Sequence, residues 1–209
     1  MNGETRIYIA RHGQTEGILA GRMESRLDSP LTSRGVAQAE ALAIRLKDVR
    51  FNAIYTSPSH RAIRTAEIVK GNKDIRLIPN ECLYEIDIGD WDGHTRDEIM
   101  QSDPFQFEQF HNNPEKYIPK RGESFKDAER RVISFFTFVK QRHFNETILA
   151  VSHSGIIKLM INNVKAVPLN RYWEPPTIPN GSLSCIRMDQ SGMLVELEAD
   201  IQHLPSLVT

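Results

Sequence analysis

Three short, β-branched runs in this chain each end in a loop that carries arginine or histidine, and this recurrence constrains the fold more than any other feature. Ile7 to Ala10 runs into Arg11-His12-Gly13, Ala53 to Thr56 into Ser57-Pro58-Ser59-His60-Arg61, and Ile148 to Val151 into Ser152-His153-Ser154-Gly155. Apolar runs of this length suit strands covered on both faces. Helical patterns fall between them. Thr32 is placed to cap a helix running to about Leu46, whose apolar side carries Val36, Ala39, Leu42, Ala43 and Leu46. His60 to Val69 has Ala62, Ala66 and Val69 along one side, Ser124 to about Arg142 is long and amphipathic, and Gly155 to Val164 carries few charges. Phe51 to Tyr55 and Ile75 to Ile78 read as the second and third strands. Asn180-Gly181 and the turn around Gly192 flank Leu183 to Met188 and Met193 to Leu197, which pair as a terminal hairpin. The expected fold is α/β: a three-layer α/β/α sandwich with a mostly parallel central sheet and an antiparallel edge strand.

No repeat, low-complexity tract or linker divides the 209 residues, so residues 1–209 read as one domain with a core of its own. Two segments interrupt the rhythm. Glu81 to Asp92 is acidic and contains Gly89, and it reads as loop. Asp97 to Arg121 mixes helix formers with Pro104, Pro114 and Pro119 and carries Phe105, Phe107, Phe110 and Tyr117. It reads as a small helical cap beside the sheet, whose aromatic residues either cover a pocket or build the cap's own core.

Lys plus Arg number 26 and Asp plus Glu 27, a formal net charge of −1. A nucleic-acid-binding chain usually shows a basic excess, so a long anionic polymer is not the expected partner. The sum leaves local clusters open. Cys82 and Cys185 lie far apart at no metal-ligand spacing, which fits two thiols in a reducing cytoplasm. The start of the chain is polar, and no stretch approaches 18 consecutive apolar residues, so neither a leader nor a membrane partner is expected.

In an open α/β sheet, ligands bind outside the carboxyl ends of the strands, so the three cationic loops are expected to share one crevice. Arg61 and His153 stand at helix starts, where the partial positive charge of the helix disfavours a cation. Two such placements beside Arg11 and His12 imply an anion among them, and arginine forks and helix-start N–H groups suit a phosphoryl group. Each of these side chains alone would read as structural. Their shared position and sign make the case. His60, with no partner in the pattern, reads as a surface residue.

These residues also carry a family resemblance. Arg11-His12-Gly13-Gln14-Thr15 resembles the R-H-G-E/Q-T signature of the histidine phosphatase superfamily, the phosphoglycerate mutase-like proteins. Gly21-Arg22, Asp28-Ser29-Pro30-Leu31-Thr32, Ser57-Pro58 with Arg61-Ala62, Glu85 before Gly89, Gly122-Glu123-Ser124, Ser152-His153 and Pro179 to Leu183 follow in the family's order, so the likeness spans nearly the whole chain. It implies that His12 attacks the substrate phosphorus and is transiently phosphorylated. Arg11, Arg61 and His153 would surround the phosphoryl oxygens, and Glu85 would protonate the leaving oxygen. The choice of Glu85 among Glu81, Asp87, Asp90 and Asp92 rests on the resemblance alone. No metal and no cofactor is implied, because phosphoryl transfer asks mainly for positioning and charge stabilisation. Two departures stand out. Ile18 falls where many relatives carry an asparagine that touches the phosphate, and Ser154 replaces the usual glycine while keeping its backbone N–H for the phosphate.

Leu83-Tyr84-Glu85-Ile86-Asp87-Ile88-Gly89 lacks the tyrosine-rich run of the mutase branch. The expected activity is therefore a phosphatase of the broad-specificity or α-ribazole type, acting on a small phosphorylated metabolite. The alternatives are a cofactor-dependent phosphoglycerate mutase and, in another class, a catalytically silent domain that binds phosphate ligands. The sequence leaves both monomer and homodimer open.

Overall fold

The β-branched runs become neighbouring parallel strands. A computed structural model of the protein describes residues 3–204. In chain order it contains β1 (Thr5–Arg11), α1 (Glu16–Leu19), α2 (Ser33–Arg45), β2 (Ala53–Thr56), α3 (His60–Lys70), β3 (Leu77–Pro79), α4 (Arg96–Ser102), α5 (Pro104–Asn112), α6 (Phe125–Arg142), β4 (Thr147–Ser152), α7 (Ser154–Val164), β5 (Leu183–Asp189) and β6 (Gly192–Asp200). The six strands form one sheet in the order β3-β2-β4-β1-β5-β6. The first four are parallel, and β5 and β6 add an antiparallel edge.

Alternation along the strands builds two apolar layers. Ile7 and Ile9 of β1, Tyr55 of β2, and Ile148 and Ala150 of β4 face a core shared with α6 and α7. Ala10, Ile54, Leu149 and Val151 point the other way, into a core with Leu42, Ala62, Ala66 and Val69 of α2 and α3. The sheet therefore lies between two helical layers. α6 begins at a capping box, where the Ser124 hydroxyl accepts from the Asp127 N–H and the Asp127 carboxylate accepts from the Ser124 N–H. Its buried side includes Phe125, Val132, Phe135, Phe136 and Val139, each stabilising the fold by about 1.5–3 kcal/mol on burial. Thr32 caps α2 as expected, accepting from the Gly35 N–H at 2.9 Å.

The third strand is shorter and later than the sequence implies. A turn in which the Ile75 N–H reaches the Lys73 carbonyl holds Ile75 out of the sheet, and the strand ends at Pro79, which has no N–H to give. Residues 81–92 are loop with two single 3₁₀ turns, Glu81–Leu83 and Gly89–Trp91. Residues 97–121 hold most of α4, all of α5 and a 3₁₀ turn at Pro114–Lys116. Of its aromatic residues, Phe110 and Tyr117 are buried with Trp91 and Phe125, and Phe107 packs at the edge of that cluster. Phe105 is 65% exposed and takes no part in it.

The order of the sheet places the functional loops. β4 lies between β2 and β1, so the carboxyl ends of β1, β2 and β4 are side by side. The loop after β1 rests on the start of α2, with no side chain between them. A Cβ on Gly13 would overlap the Gly35 carbonyl, and one on Gly35 would overlap the Gln14 carbonyl.

Candidate active site

Arg11 is the last residue of β1, in register with Ser152 of β4, and the chain leaves the sheet there. His12 continues the pairing through its N–H, which donates to the Ser152 carbonyl at 3.1 Å. The His12 carbonyl in turn accepts from the Gly181 N–H and the Asn180 amide, both at 3.2 Å. The ring is fixed as well. Its Nδ1 lies 2.7 Å from the Gly13 carbonyl, and because a carbonyl only accepts, Nδ1 carries the proton and Nε2 holds the lone pair.

The surroundings keep this ring neutral. Burial, then the charges of Arg61 and Arg11, hold His12 well below the usual imidazole range. His153 is displaced in the same direction by burial and by Arg61, His12 and Arg11. The two rings meet edge to face with centroids 5.0 Å apart. Arg11 is itself lowered to about 10, chiefly by burial, with Arg61 adding repulsion and Glu85 opposing it.

Three buried nitrogens around His12 have no hydrogen-bond partner among the described residues: Arg11 Nε, Arg61 Nε and His153 Nδ1. The rest of each side chain is held firmly. Arg11 Nη1 donates to the Ile178 carbonyl at 2.7 Å. Arg61, 1% exposed, donates from Nη1 to the Leu27 carbonyl and Asp28 Oδ1, both at 3.0 Å, and from Nη2 to the Ser25 carbonyl at 2.9 Å. His153 Nε2 meets the Ser57 hydroxyl at 2.8 Å and that of Ser59 at 3.3 Å. A buried polar nitrogen without a partner costs about 1–3 kcal/mol. Three of them around one imidazole are a set of donors prepared for an anionic oxygen cluster.

Glu85 stands at the start of α7. Its Oε2 accepts from the Gly155 N–H at 3.0 Å and the Ser154 hydroxyl at 3.2 Å, and its Oε1 accepts from the Ile86 N–H at 2.9 Å. Arg11, His12, Glu85 and Ser154 open together onto a cavity of 590 Å³, with Ile18, Met23, Phe110, Trp173 and Ile178 forming apolar wall. Arg61 and His153 are not among its lining residues; both lie beside the His12 ring. Ile18 gives the cavity an aliphatic side chain where the family pattern supplies an amide. Among the described residues, no group of three His, Cys, Asp or Glu side chains is arranged to hold a metal ion.

The helix starts do not present their N–H groups to an anion as the sequence implies. The N–H groups of His60 and Arg61, which open α3, turn to the Asp28 carboxylate, and the Gly155 N–H of α7 turns to Glu85. These three helix-start N–H groups are thus taken by the chain's own acids, and the buried, unpartnered nitrogens beside His12 belong to side chains. Asp28 also ion-pairs with Arg61 at 3.0 Å, so the positive cluster is partly compensated within the site. His60 is exposed, as expected.

Several working residues carried no signal of their own in the sequence. Asp92 accepts from the Ser25 N–H at 2.7 Å, the Ser25 hydroxyl at 2.9 Å, the Arg26 N–H at 2.7 Å and the Leu27 N–H at 2.6 Å. It thereby shapes the loop whose carbonyls hold Arg61. Thr65 accepts from the Gly13 N–H at 3.2 Å and donates to the Arg61 carbonyl at 2.8 Å, tying the β1 loop to α3. Contacts of this kind join segments tens of residues apart, and no local spacing reveals them.

Comparison with known proteins agrees with this geometry. Residues 7–201 match the family model of the histidine phosphatase superfamily, branch 1. Phosphoserine phosphatase 1 of Hydrogenobacter thermophilus is 32% identical over 185 residues, covering 88% of this chain and 87% of its own. Adenosylcobalamin/alpha-ribazole phosphatase of Escherichia coli is 30% identical, covering 88% and 91%. Among solved structures, YhfR of Bacillus stearothermophilus superposes with a TM-score of 0.93 at 41% identity, covering 95% of this chain and 98% of that one. With the R-H-G loop, the second histidine and both arginines gathered at the ends of three adjacent strands, the chain belongs to the histidine phosphatase superfamily.

Proposed function

We propose that the His12 cavity hydrolyses small phosphomonoesters in two steps, with His12 as nucleophile and Glu85 as proton donor and then acceptor. The observation that carries the assignment is the His12 Nε2 lone pair, left free by the bond of Nδ1 to the Gly13 carbonyl, together with buried, unpartnered nitrogens on the neighbouring side chains Arg11, Arg61 and His153. Nε2 attacks phosphorus in line with the ester oxygen. A phosphorus–nitrogen bond forms, the phosphorus–oxygen bond breaks, and the departing alkoxide takes a proton from the Glu85 carboxyl. Water then attacks the phosphohistidine, Glu85 takes its proton, phosphate leaves, and His12 returns to its neutral form.

Arg11 and Arg61 hold the phosphoryl oxygens through the fork edges that include their unpartnered Nε atoms. His153 meets serine hydroxyls at Nε2, which leaves its buried, unpartnered Nδ1 for a third oxygen. Donors placed in advance in a dry site lower the barrier by about 3 kcal/mol each. Ser154 steadies Glu85 through its hydroxyl, and its backbone N–H at the opening of α7 is a further phosphate donor. The named relatives are phosphatases of phosphoserine and alpha-ribazole phosphate esters, which supports the broad-specificity or α-ribazole-type reading. Phe110 and Trp173 in the cavity wall favour an alcohol portion with some apolar surface. The two free thiols, Cys82 and Cys185, support a reducing, cytoplasmic setting, and no helix among the described residues is long and apolar enough to cross a membrane.

The test is hydrolysis of p-nitrophenyl phosphate in the presence of EDTA by the wild type and by His12→Ala. Undiminished wild-type activity and an inactive variant are expected. Loss of activity on chelation, or normal turnover by His12→Ala, would overturn the assignment.

A further inference from the structure

Lys158 lines the His12 cavity, yet none of the steps above uses it. It lies on α7 four residues beyond Ser154, a rise of about 6 Å along the helix. The residue is 7% exposed, and its Nζ donates to the Glu174 carbonyl at 2.6 Å and the Pro176 carbonyl at 2.9 Å. An ammonium has three donors, and these contacts use two.

No carboxylate among the described residues forms an ion pair with it. The nearest candidates are engaged elsewhere. Glu174 gives Lys158 only its backbone carbonyl and turns its carboxylate to Arg171, at 2.6 and 2.8 Å. Glu198 pairs with Lys165 at 2.6 Å, and Glu85 is held by its three donors. Lys158 is thus a largely desolvated cation facing a ligand cavity with only neutral oxygens for company, an arrangement that an arriving anion improves. Burial accordingly lowers its proton affinity. Arg22 and Arg96 also reach the cavity, but both are exposed and hydrated, and Arg22 lies 3.9 Å from Glu98.

We propose that Lys158 determines specificity by binding a carboxylate on the alcohol portion of the phosphomonoester while the phosphoryl group sits at His12. A single buried ammonium with one free donor suits a monoanion better than a second phosphate, which calls for several donors. The short distance along α7 limits the substrate to a small phosphorylated hydroxy acid. This inference rests on the phosphatase reading of the cavity and deepens it.

The experiment compares two probes that differ in one group, 3-phosphoglycerate and glycerol 3-phosphate, as competitive inhibitors of p-nitrophenyl phosphate hydrolysis. The readout is the ratio of their inhibition constants within each enzyme, so a general loss of activity cancels. In the wild type the carboxylate-bearing probe is expected to bind about tenfold more tightly, equivalent to about 1.4 kcal/mol. Lys158→Gln, which still offers N–H donors to the two carbonyls, should bring the ratio near one. Lys158→Arg, which keeps the charge, should retain most of it. A wild-type ratio near one, or a ratio unchanged in Lys158→Gln, would overturn the proposal and leave Lys158 as a tie between α7 and the segment 174–176. Absence of p-nitrophenyl phosphate hydrolysis in the wild type would instead overturn the phosphatase reading.

Discussion

Replacing Glu85 by glutamine separates its chemical role from its structural one. The carboxylate accepts three hydrogen bonds, two at Oε2 from Gly155 and Ser154 and one at Oε1 from Ile86. A glutamine has one acceptor oxygen. Turned toward Gly155, it keeps two bonds and sets its NH₂ against the Ile86 N–H; turned the other way, it loses two. The first arrangement is the cheaper, and leaving one buried donor unsatisfied costs about 1–3 kcal/mol of stability. The fold should survive that. The chemistry should not, because an alkoxide leaves poorly without a proton. General acid catalysis contributes about 10²–10⁴-fold, or roughly 2.7–5.4 kcal/mol of barrier. That loss is expected in kcat/KM for an alkyl ester such as glycerol 3-phosphate, measured by phosphate release. The p-nitrophenolate anion needs no proton to leave, so kcat/KM for p-nitrophenyl phosphate should fall by less than about tenfold. Glu85 also activates the water of the second step, so Glu85→Gln should release a burst of p-nitrophenol followed by slow turnover. Equal losses on the two esters, or no loss on the alkyl one, would refute Glu85 as the proton donor.

Other outcomes follow from the same geometry. Asp92→Ala removes three backbone N–H bonds from the loop 25–27, so it should lower stability by about 3 kcal/mol and kcat/KM by tenfold or more, acting through Arg61. Its effect should be much smaller when Arg61 is already lysine, which melting curves and a double-mutant cycle on p-nitrophenyl phosphate would check; independent effects would contradict the coupling. The pH dependence of stability has a definite sign. His12 and His153 are held neutral in the folded chain, whereas the unfolded chain binds protons below about pH 6.5. Stability should therefore fall as pH drops from 7 to 5, each histidine contributing up to about 1.4 kcal/mol per pH unit. Replacing both by asparagine should flatten the slope measured by denaturant titration, and an unchanged slope would contradict their neutral state. Gly13→Ala should sharply reduce both stability and activity, since its Cβ would overlap the Gly35 carbonyl and displace the His12 loop; a variant with wild-type melting and turnover would refute that packing.

Much of this was legible in the sequence because the signals are local. β-branched runs, the Thr32 and Ser124 caps and the paired turns act over a few residues, so they place strands and helices directly. The convergence of Arg11, His12, Arg61 and His153 followed from a topological rule, since the ends of parallel strands share one edge of a sheet. Glu85 required the family pattern, as the acidic stretch offers no periodicity that distinguishes it from its neighbours. What could not be read is the internal charge accounting. Asp28 pairing with Arg61, Asp92 shaping the loop 25–27, and Glu174 turning from Lys158 to Arg171 depend on how loops close in space. The apolar character of residues 105–117 was visible, but not that Phe110 would face the cavity while Phe105 faced solvent.

The most direct measurement of the central claim is rapid acid-free quenching of the enzyme during turnover of p-nitrophenyl phosphate, followed by peptide mass spectrometry under alkaline conditions that preserve phosphohistidine. One phosphoryl group is expected on the peptide containing His12, attached at Nε2 because Nδ1 is committed to the Gly13 carbonyl. It should accumulate in Glu85→Gln and be absent from His12→Ala. A phosphoryl group on another residue, or a p-nitrophenol burst with no modified His12 peptide, would contradict the mechanism.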